Sequence, residues 1–297
     1  MATVAKAFDI QRALPLLVRA LFYYVFFCIV NVQVLFLVMR VPGVDFDGSK
    51  AVWANAGVIP VALMLWRLWA ERARPLPALQ PWYRGWVLGI VMFGSWALSY
   101  LLIGALVRPE RVTRLAFEMD RAIPFDPGWV FLYLCVYPMY LLPFLHDAPA
   151  GTHRRLALGY VLVLVVAYAV FLSVPVGFDR TAMPVGAKHY AMWALGKVHG
   201  LDPPWNCMPS THCAVSLLAG LALWEANRRL GTWGLATALG IAVSTTLTKQ
   251  HYIVDVVAGH ALALSIYWLL RRVDAAERAA QWLRPVLERA RRVGRPG

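Results

Sequence analysis

The sequence predicts an all-α fold, a polytopic membrane helical bundle of about eight transmembrane helices. Three observations carry this. Of the 297 residues, 60% are hydrophobic and 15% charged, where a soluble domain carries about 25% charged residues; the mean hydropathy is +0.57. The apolar residues gather in long blocks rather than in alternating or amphipathic patterns. The basic residues, which bring the formal net charge to +13, fall between and after those blocks, as they do when charge fixes the orientation of a membrane protein. That placement argues against the nucleic-acid partner the same charge would suggest in a soluble chain.

Eight blocks of about 16–22 residues, near the length that crosses a bilayer, run over 20–39, 51–70, 86–107, 129–145, 156–174, 211–226, 232–247 and 252–270. The first follows Lys6, Arg12 and Arg19 in the manner of a signal peptide. It is too long for a typical signal core and lacks an Ala-x-Ala exit, so it is expected to be retained. The second contains Arg67, placed to snorkel. The fourth contains Pro138 and Pro143, which a membrane helix tolerates with a kink. The tail, 271–297, sets Val273, Trp282, Leu283, Val286 and Leu287 among eight arginines. It reads either as a basic amphipathic helix on an anionic leaflet or as a solvated extension of the last span. The four cysteines are too few and scattered for a disulfide framework, although Cys207 and Cys213 are close enough in sequence to leave one bridge open. No internal repeat, low-complexity linker or second soluble domain is visible.

Eight crossings put both termini on one side. That side carries 19 Lys and Arg residues against 10 on the other, so it is expected to be cytoplasmic. The loops 40–50, 108–128, 175–210 and 248–251 then face outward. Six crossings satisfy the same rule if the first two blocks form a re-entrant pair. The arginine-rich composition suggests a bacterial inner membrane.

The residues that carry chemistry lie at two block boundaries. In "NCMPSTHCA" His212 opens the sixth block, and in "TKQHYIVDVVAGH" His251 stands just before the eighth. Both following helices begin on the outward face, and a helix N-terminus offers free N–H groups and a positive dipole end to an anion such as phosphate. Ser210 or Thr211 is the natural N-cap. Asp255, four residues after His251, shares its helix face and can accept the imidazole N–H, leaving the other nitrogen free to attack. A carboxylate at membrane depth otherwise calls for a partner or a function. His260 reads as a bonded structural histidine, His189 and Tyr190 as surface residues, and Trp193, Trp205 and Tyr252 as interfacial belt. Glu225 is expected to pair with Arg228 or Arg229. Cys207, His212, Cys213, His251 and Asp255 hold zinc-type donor atoms, but no paired CxxC or HxxxH supports a metal site.

"PSTH" at 209–212, followed by "HYIVD" at 251–255, resembles the second and third signature motifs of the type 2 phosphatidic acid phosphatase (PAP2) superfamily, over roughly 156–270. The resemblance implies a six-helix core within a membrane domain at 86–270. The two N-terminal crossings (1–85) and the basic cytoplasmic tail (271–297) lie outside it. It implies catalysis by His251 as nucleophile forming a phosphohistidine, Asp255 as its orienting partner and His212 as the acid for the leaving oxygen, with no metal or other cofactor. Ser210 and the backbone around Thr211 and His212 would hold the phosphoryl oxygens. Several positions depart from the family pattern. Thr211 stands where Gly is usual, Thr245 stands where an Arg is expected six before the nucleophile, and Lys-x6-Arg-Pro is absent. Arg180 in "VPVGFDRTAMP" and Lys249 are the basic residues chosen to clamp the phosphate, with Lys188 a further candidate. This drift is similar to the branch of inositol phosphorylceramide and sphingomyelin synthases.

The expected substrate is a lipid phosphate or phospholipid, hydrolysed or relieved of its headgroup at the outer face, with headgroup transfer to another lipid as the alternative. The competing class is a proton-coupled transporter, with the same His and Asp residues as a relay; inverted repeats would favour it.

Overall fold

This computed structural model describes residues 10–38, 54–70, 81–146, 151–180 and 189–293, with the single positions 48 and 148. About 82% of it is helical and no strand forms among the described residues. Helix α1 spans Ile10–Val38, a π-turn at Ala54–Val58 leads into α2 (Ile59–Ala70), and α3 spans Pro81–Leu106. A short α4 (Glu118–Ala122) precedes α5 (Val130–Leu134) and α6 (Val136–Leu145). Then come α7 (Thr152–Ser173), α8 (Tyr190–Leu201), α9 (Thr211–Ala226), α10 (Arg228–Leu247) and α11 (Ile253–Val293). The last runs unbroken through the boundary expected at residue 271.

Among the described residues five helical stretches are long and apolar enough to cross a membrane: Val87–Leu106, Pro127–Leu145, Thr152–Ser173, Arg228–Leu247 and Ile253–Asp274. Three shorter apolar helices, Arg19–Leu35, Ala56–Ala70 and Thr211–Ala226, correspond to the remaining blocks. The chain is an integral membrane protein. The break between α5 and α6 falls at Cys135, three residues before Pro138, whose missing N–H and bulky ring disrupt the preceding turn. Arg67 reaches the Tyr23 hydroxyl on α1, 3.3 Å away.

Large apolar side chains such as Leu98, Val165, Leu239 and Trp268 lie on the outside, as a lipid-facing surface requires. Because lipid tails are as apolar as leucine, helix association in a bilayer rests on close packing rather than on burial from water. Accordingly α9 and α10 meet at Gly220 and Gly234, where an added Cβ on Gly220 would sit 3.2 Å from the Gly234 backbone. Helix α9 is the central element, packed on α6, α7, α10 and α11. Beside it, Trp96, Tyr140 and Tyr160 form a stack with ring centroids 4.9 and 4.0 Å apart.

The two ends of this bundle differ. At one end three connecting segments are knitted together above α9 and α11. Thr113 N–H donates to Pro175 O, Gly177 N–H to Thr113 O, and Cys207 N–H to Val176 O. Phe178 stacks over Tyr252 at 4.4 Å. Tyr252, expected in an interfacial belt, is 2% exposed, because this lid covers it. At the other end Glu225 does not pair with Arg228 or Arg229. It accepts from Arg155 of α7 at 2.5 Å and from Arg271 and Tyr267 of α11 at 3.1 and 3.0 Å. Arg155 also holds Asp274 at 2.6 Å. The helix face carrying Glu225 turns toward α7 and α11, away from the α9–α10 connection; Arg228 instead lies over the Trp224 ring.

Candidate active site

Ser210 caps α9, its hydroxyl accepting from Cys213 N–H at 3.3 Å. The Ser210 N–H donates to the Asp255 carbonyl at 3.0 Å, so the two sequence motifs touch through backbone. Residue 259 must be glycine for this approach, since a Cβ there would collide with the Ser210 carbonyl. His212 thereby stands in the first turn of α9 beside the start of α11. His251 arrives from the turn after α10, where Gln250 and His251 N–H both point at Thr245 O. That turn needs the left-handed backbone of Lys249 (φ 55°).

The side chains converge. His251 Nε2 lies 3.4 Å from His212 Nδ1, and His251 Nδ1 lies 3.5 Å from Asp255 Oδ2. The latter contact is in ion-pair range but longer than a good hydrogen bond, and neither His251 Nδ1 nor Asp255 Oδ1 has a hydrogen-bond partner. Asp255 Oδ2 accepts from Tyr252 N–H at 2.9 Å. On the far side, Tyr133 of α5 places its hydroxyl 2.9 Å from His212 Nε2. His212 is 3% exposed, His251 4%, and Asp255 and Tyr133 not at all. Thr211 Oγ1 and both polar ends of the buried Gln250 are also unpartnered.

Arg180 and Lys249, expected to face the phosphate, are both engaged by protein groups, although Arg180 Nε, buried, has no partner. Arg180 donates to Asp202 Oδ2 at 2.7 Å and to the carbonyls of His199 and Asp202, so it closes the C-terminal end of α8, where free carbonyls attract a cation. Lys249 donates to the carbonyls of Asp120 and Ile123 at 3.0 and 2.5 Å. Burial lowers its pKa and the nearby Asp120 partly offsets that. Lys188 lies outside the described residues. The N-terminus of α11, expected to be open to an anion, is occupied by Asp120, whose Oδ1 accepts from Ile253 N–H at 2.8 Å. Nothing in the sequence flags Asp120 as a cap, because it belongs to a segment more than a hundred residues away. His260, as expected, is a bonded structural histidine, its Nδ1 2.8 Å from Val256 O.

A cavity of about 500 Å³ opens beside the histidines. Phe93, Trp96, Tyr100, Tyr137 and Trp193 line it with α1 residues Ile29 and Val32. Its polar wall is His212, Asp202 and Lys197, the last 5.8 Å from the Trp193 ring centre. Sequence reasoning missed Tyr133, Lys197 and Asp202. A tyrosine inside an apolar run and a lysine on a short helix carry no motif.

All four cysteines are free, so the bridge left open between Cys207 and Cys213 is not formed. Among the described residues one group has donor atoms close enough for a metal: Cys207, His251 and Asp255, all buried, within 4.8 Å of one another. Burial, with the carboxylates of Asp255 and Asp202 beside it, pushes the Cys207 thiol pKa well up, and the thiol donates to the carbonyls of Pro204 and Gln250.

Buried facing imidazoles, a carboxylate behind one of them and an apolar cavity beside them define a class: a polytopic helical membrane protein with a histidine-based site. The comparison with known families narrows it. Residues 128–269 match the PAP2 superfamily, and over that stretch the helical core is similar to it. The matched stretch includes Tyr133, His212, His251 and Asp255. A phosphatase- or phosphotransferase-type activity is what the superfamily domain supports. Comparison with curated proteins and with solved structures gives no match.

Proposed function

We propose that the chain is a membrane-integral PAP2-type phosphatase that hydrolyses a lipid phosphate through a phosphohistidine, with its site at the outer, periplasmic or extracellular face. The observation that carries this reading is the apolar cavity of about 500 Å³ with His212 on its wall and His251 against His212. Its volume falls within the usual span of small-molecule pockets, about 300–1,000 Å³, and its apolar wall suits a hydrocarbon chain. The loop-charge bias supports the outward siting.

In the first step His251 Nε2 attacks phosphorus and the bond to the lipid oxygen breaks. That oxygen takes the Nδ1 proton of cationic His212, which is left neutral with its remaining proton on Nε2. Asp255 faces Nδ1–H of the ring that becomes cationic and stabilises it. In the second step water attacks phosphorus, its proton returns to His212 Nδ1, and the P–N electron pair returns to His251. A 3.4 Å gap between the rings is too short to hold a phosphoryl group, so substrate parts them. Ser210, Thr211 and the first N–H groups of α9 receive the phosphoryl oxygens; the unpartnered Thr211 Oγ1 supports that assignment. Lys197 on the cavity wall and Arg180, tied to Asp202 on that wall, are the cations beside the headgroup path.

A second reading is transfer of the phospho-headgroup to an alcohol. The burial of both rings beneath knitted loops favours it, since limiting water favours an alcohol acceptor.

The test is phosphate release from a short-chain lipid phosphate by the detergent-solubilised protein, with and without chelator. Activity that survives chelation and disappears in His251→Ala supports the proposal. Full activity in His251→Ala, or proton-driven uptake without phosphate release, overturns it. A labelled donor supplied with an alcohol separates the readings: a new labelled lipid identifies the transferase.

A further inference from the structure

The hydroxyl of Tyr133 is the feature of the site that neither the sequence motifs nor the reaction scheme above uses. It comes from α5, 79 residues from His212 in sequence, is completely buried, and lies 2.9 Å from His212 Nε2. The two rings are tilted with centroids 4.8 Å apart. His212 therefore has both nitrogens engaged, Nε2 by Tyr133 and Nδ1 by His251. Trp96 and Tyr100 hold the ring edge-on from α3, at 6.2 and 6.3 Å.

The proton positions follow from lone-pair accounting. If His251 keeps its proton on Nδ1, toward Asp255, its Nε2 offers a lone pair to His212. Two lone pairs cannot face each other at 3.4 Å, so the proton between the rings sits on His212 Nδ1. Neutral His212 is then the Nδ1–H tautomer, the less common one for a free histidine side chain, and its Nε2 is an acceptor. Tyr133 O–H donates to it. When His212 is cationic, and after that cation has given up its Nδ1 proton, Nε2–H donates and the same tyrosine oxygen accepts. A hydroxyl serves both states, and a phenyl ring serves neither.

We propose that Tyr133 is the positioning residue of the general acid: it holds His212 Nε2 in either protonation state and so confines proton transfer to Nδ1, the nitrogen that faces His251. Its consequence for turnover rests on the reading of His212 as acid and base in phosphoryl transfer. Its consequence for the tautomer does not. The charged and titratable groups around His212 are Tyr133 from α5, Tyr100 from α3, His251 from the turn before α11, Asp202 on the cavity wall and Arg180 bonded to it. Among those described as bonding to the His212 ring, only Tyr133 reaches Nε2.

The experiment has two arms. In the first, ¹⁵N-histidine-labelled protein in detergent reports the His212 tautomer. Wild type is expected as Nδ1–H, and Tyr133→Phe is expected to move it toward Nε2–H. Replacing Tyr133 with 3-fluorotyrosine, nearly the same shape with a more acidic hydroxyl, is expected to shift the His212 Nε2 resonance even if the phenylalanine variant folds poorly. In the second, Tyr133→Phe is expected to lower kcat about 10- to 100-fold, within what misplaced general acid catalysis loses, with KM nearly unchanged. It should have no further effect in a His212→Ala background, since a residue acting through His212 cannot act without it. An unaltered tautomer in Tyr133→Phe, or an unshifted His212 Nε2 resonance with 3-fluorotyrosine, overturns the proposal, as does a Tyr133→Phe loss that persists in the His212→Ala background. If His251→Ala retains activity, the phosphohistidine reading fails while the tautomer arm still decides the role of Tyr133.

Discussion

Helices α9 and α11 carry a polar cluster at each end, partly exposed at the Glu225 end and buried at the His212 end, roughly 20 Å apart by the length of α9, and the two are built differently. At the Glu225 end every charged group has a partner: Glu225 takes Arg155, Arg271 and Tyr267, and Arg155 also takes Asp274. At the His212 end His251 Nδ1, Asp255 Oδ1, Thr211 Oγ1 and the Gln250 amide have none. Buried polar groups are normally satisfied, and each one left unsatisfied costs about 1–3 kcal/mol. The difference teaches that one cluster clamps α7, α9 and α11 together, whereas the other is held ready for something that completes it.

Exchanging carboxylate for amide at both ends is the strongest way to break that comparison. Asp255→Asn leaves one oxygen at the Oδ2 position, which accepts from Tyr252 N–H and also faces His251 Nδ1, but removes the negative charge that steadies the ring once it is cationic. Phosphate release is expected to fall about 10³- to 10⁴-fold, the scale on which exchanging a triad carboxylate for an amide acts, with the melting temperature unchanged or higher. Glu225→Gln should do the opposite. It strips Arg155 and Arg271 of their shared partner and lowers stability by about 3 kcal/mol, as breaking a largely buried pair does, with activity per folded molecule retained. Thermal melts and phosphate release on both variants decide it. A Glu225→Gln protein that is stable but inactive would erase the distinction between the two ends.

The sequence discloses these ends unequally. Each of the eight apolar blocks is largely helical over its described residues, because a long apolar run in lipid satisfies its backbone in no other way than as a helix or a closed barrel. Ser210 as cap and Asp255 beside His251 were readable because both are local relations within four residues. Glu225 was misassigned to Arg228 and Arg229 for the same reason: nearness in sequence is all a single chain offers, and its real partners lie 70 and 46 residues away. Arg180 and Lys249 illustrate the converse. Their charge was legible, but the carbonyls that hold them belong to the end of α8 and to the 120–123 segment.

Asp120 sharpens the comparison at the next scale down. It ties the 117–123 segment to α11 through Ile253 N–H and to its own turn through Phe117 N–H at 2.9 Å. Asp120→Ala removes a helix cap and is expected to lower stability by about 1–2 kcal/mol. It also leaves α11 with a free N–H close to His251. If the site end is held ready rather than clamped, activity should change more than this stability loss explains, and inorganic phosphate should inhibit the variant more strongly than wild type. Equal inhibition of the two by phosphate would show that the start of α11 is no part of the anion path.

The smallest expected effect is a pH dependence at the edge of the same end. Burial, reinforced by the Arg180 charge and only partly opposed by Asp202, lowers the His199 pKa to about 4. An unfolded histidine titrates near 6.5. Between those values the unfolded chain binds the extra proton, so stability rises with pH through that window. His199 thus contributes stability that is complete above about pH 6.5 and is lost as pH falls toward 4. Its ring is only partly buried, which screens the effect to about 1 kcal/mol. Melting temperatures measured from pH 7 down to pH 4 should fall further for wild type than for His199→Gln, which has no proton to gain. A wild-type curve that parallels His199→Gln across the whole range would mean that the junction between α8 and Arg180 is already open to water, leaving the unsatisfied cluster around His212 less enclosed than the clamped one.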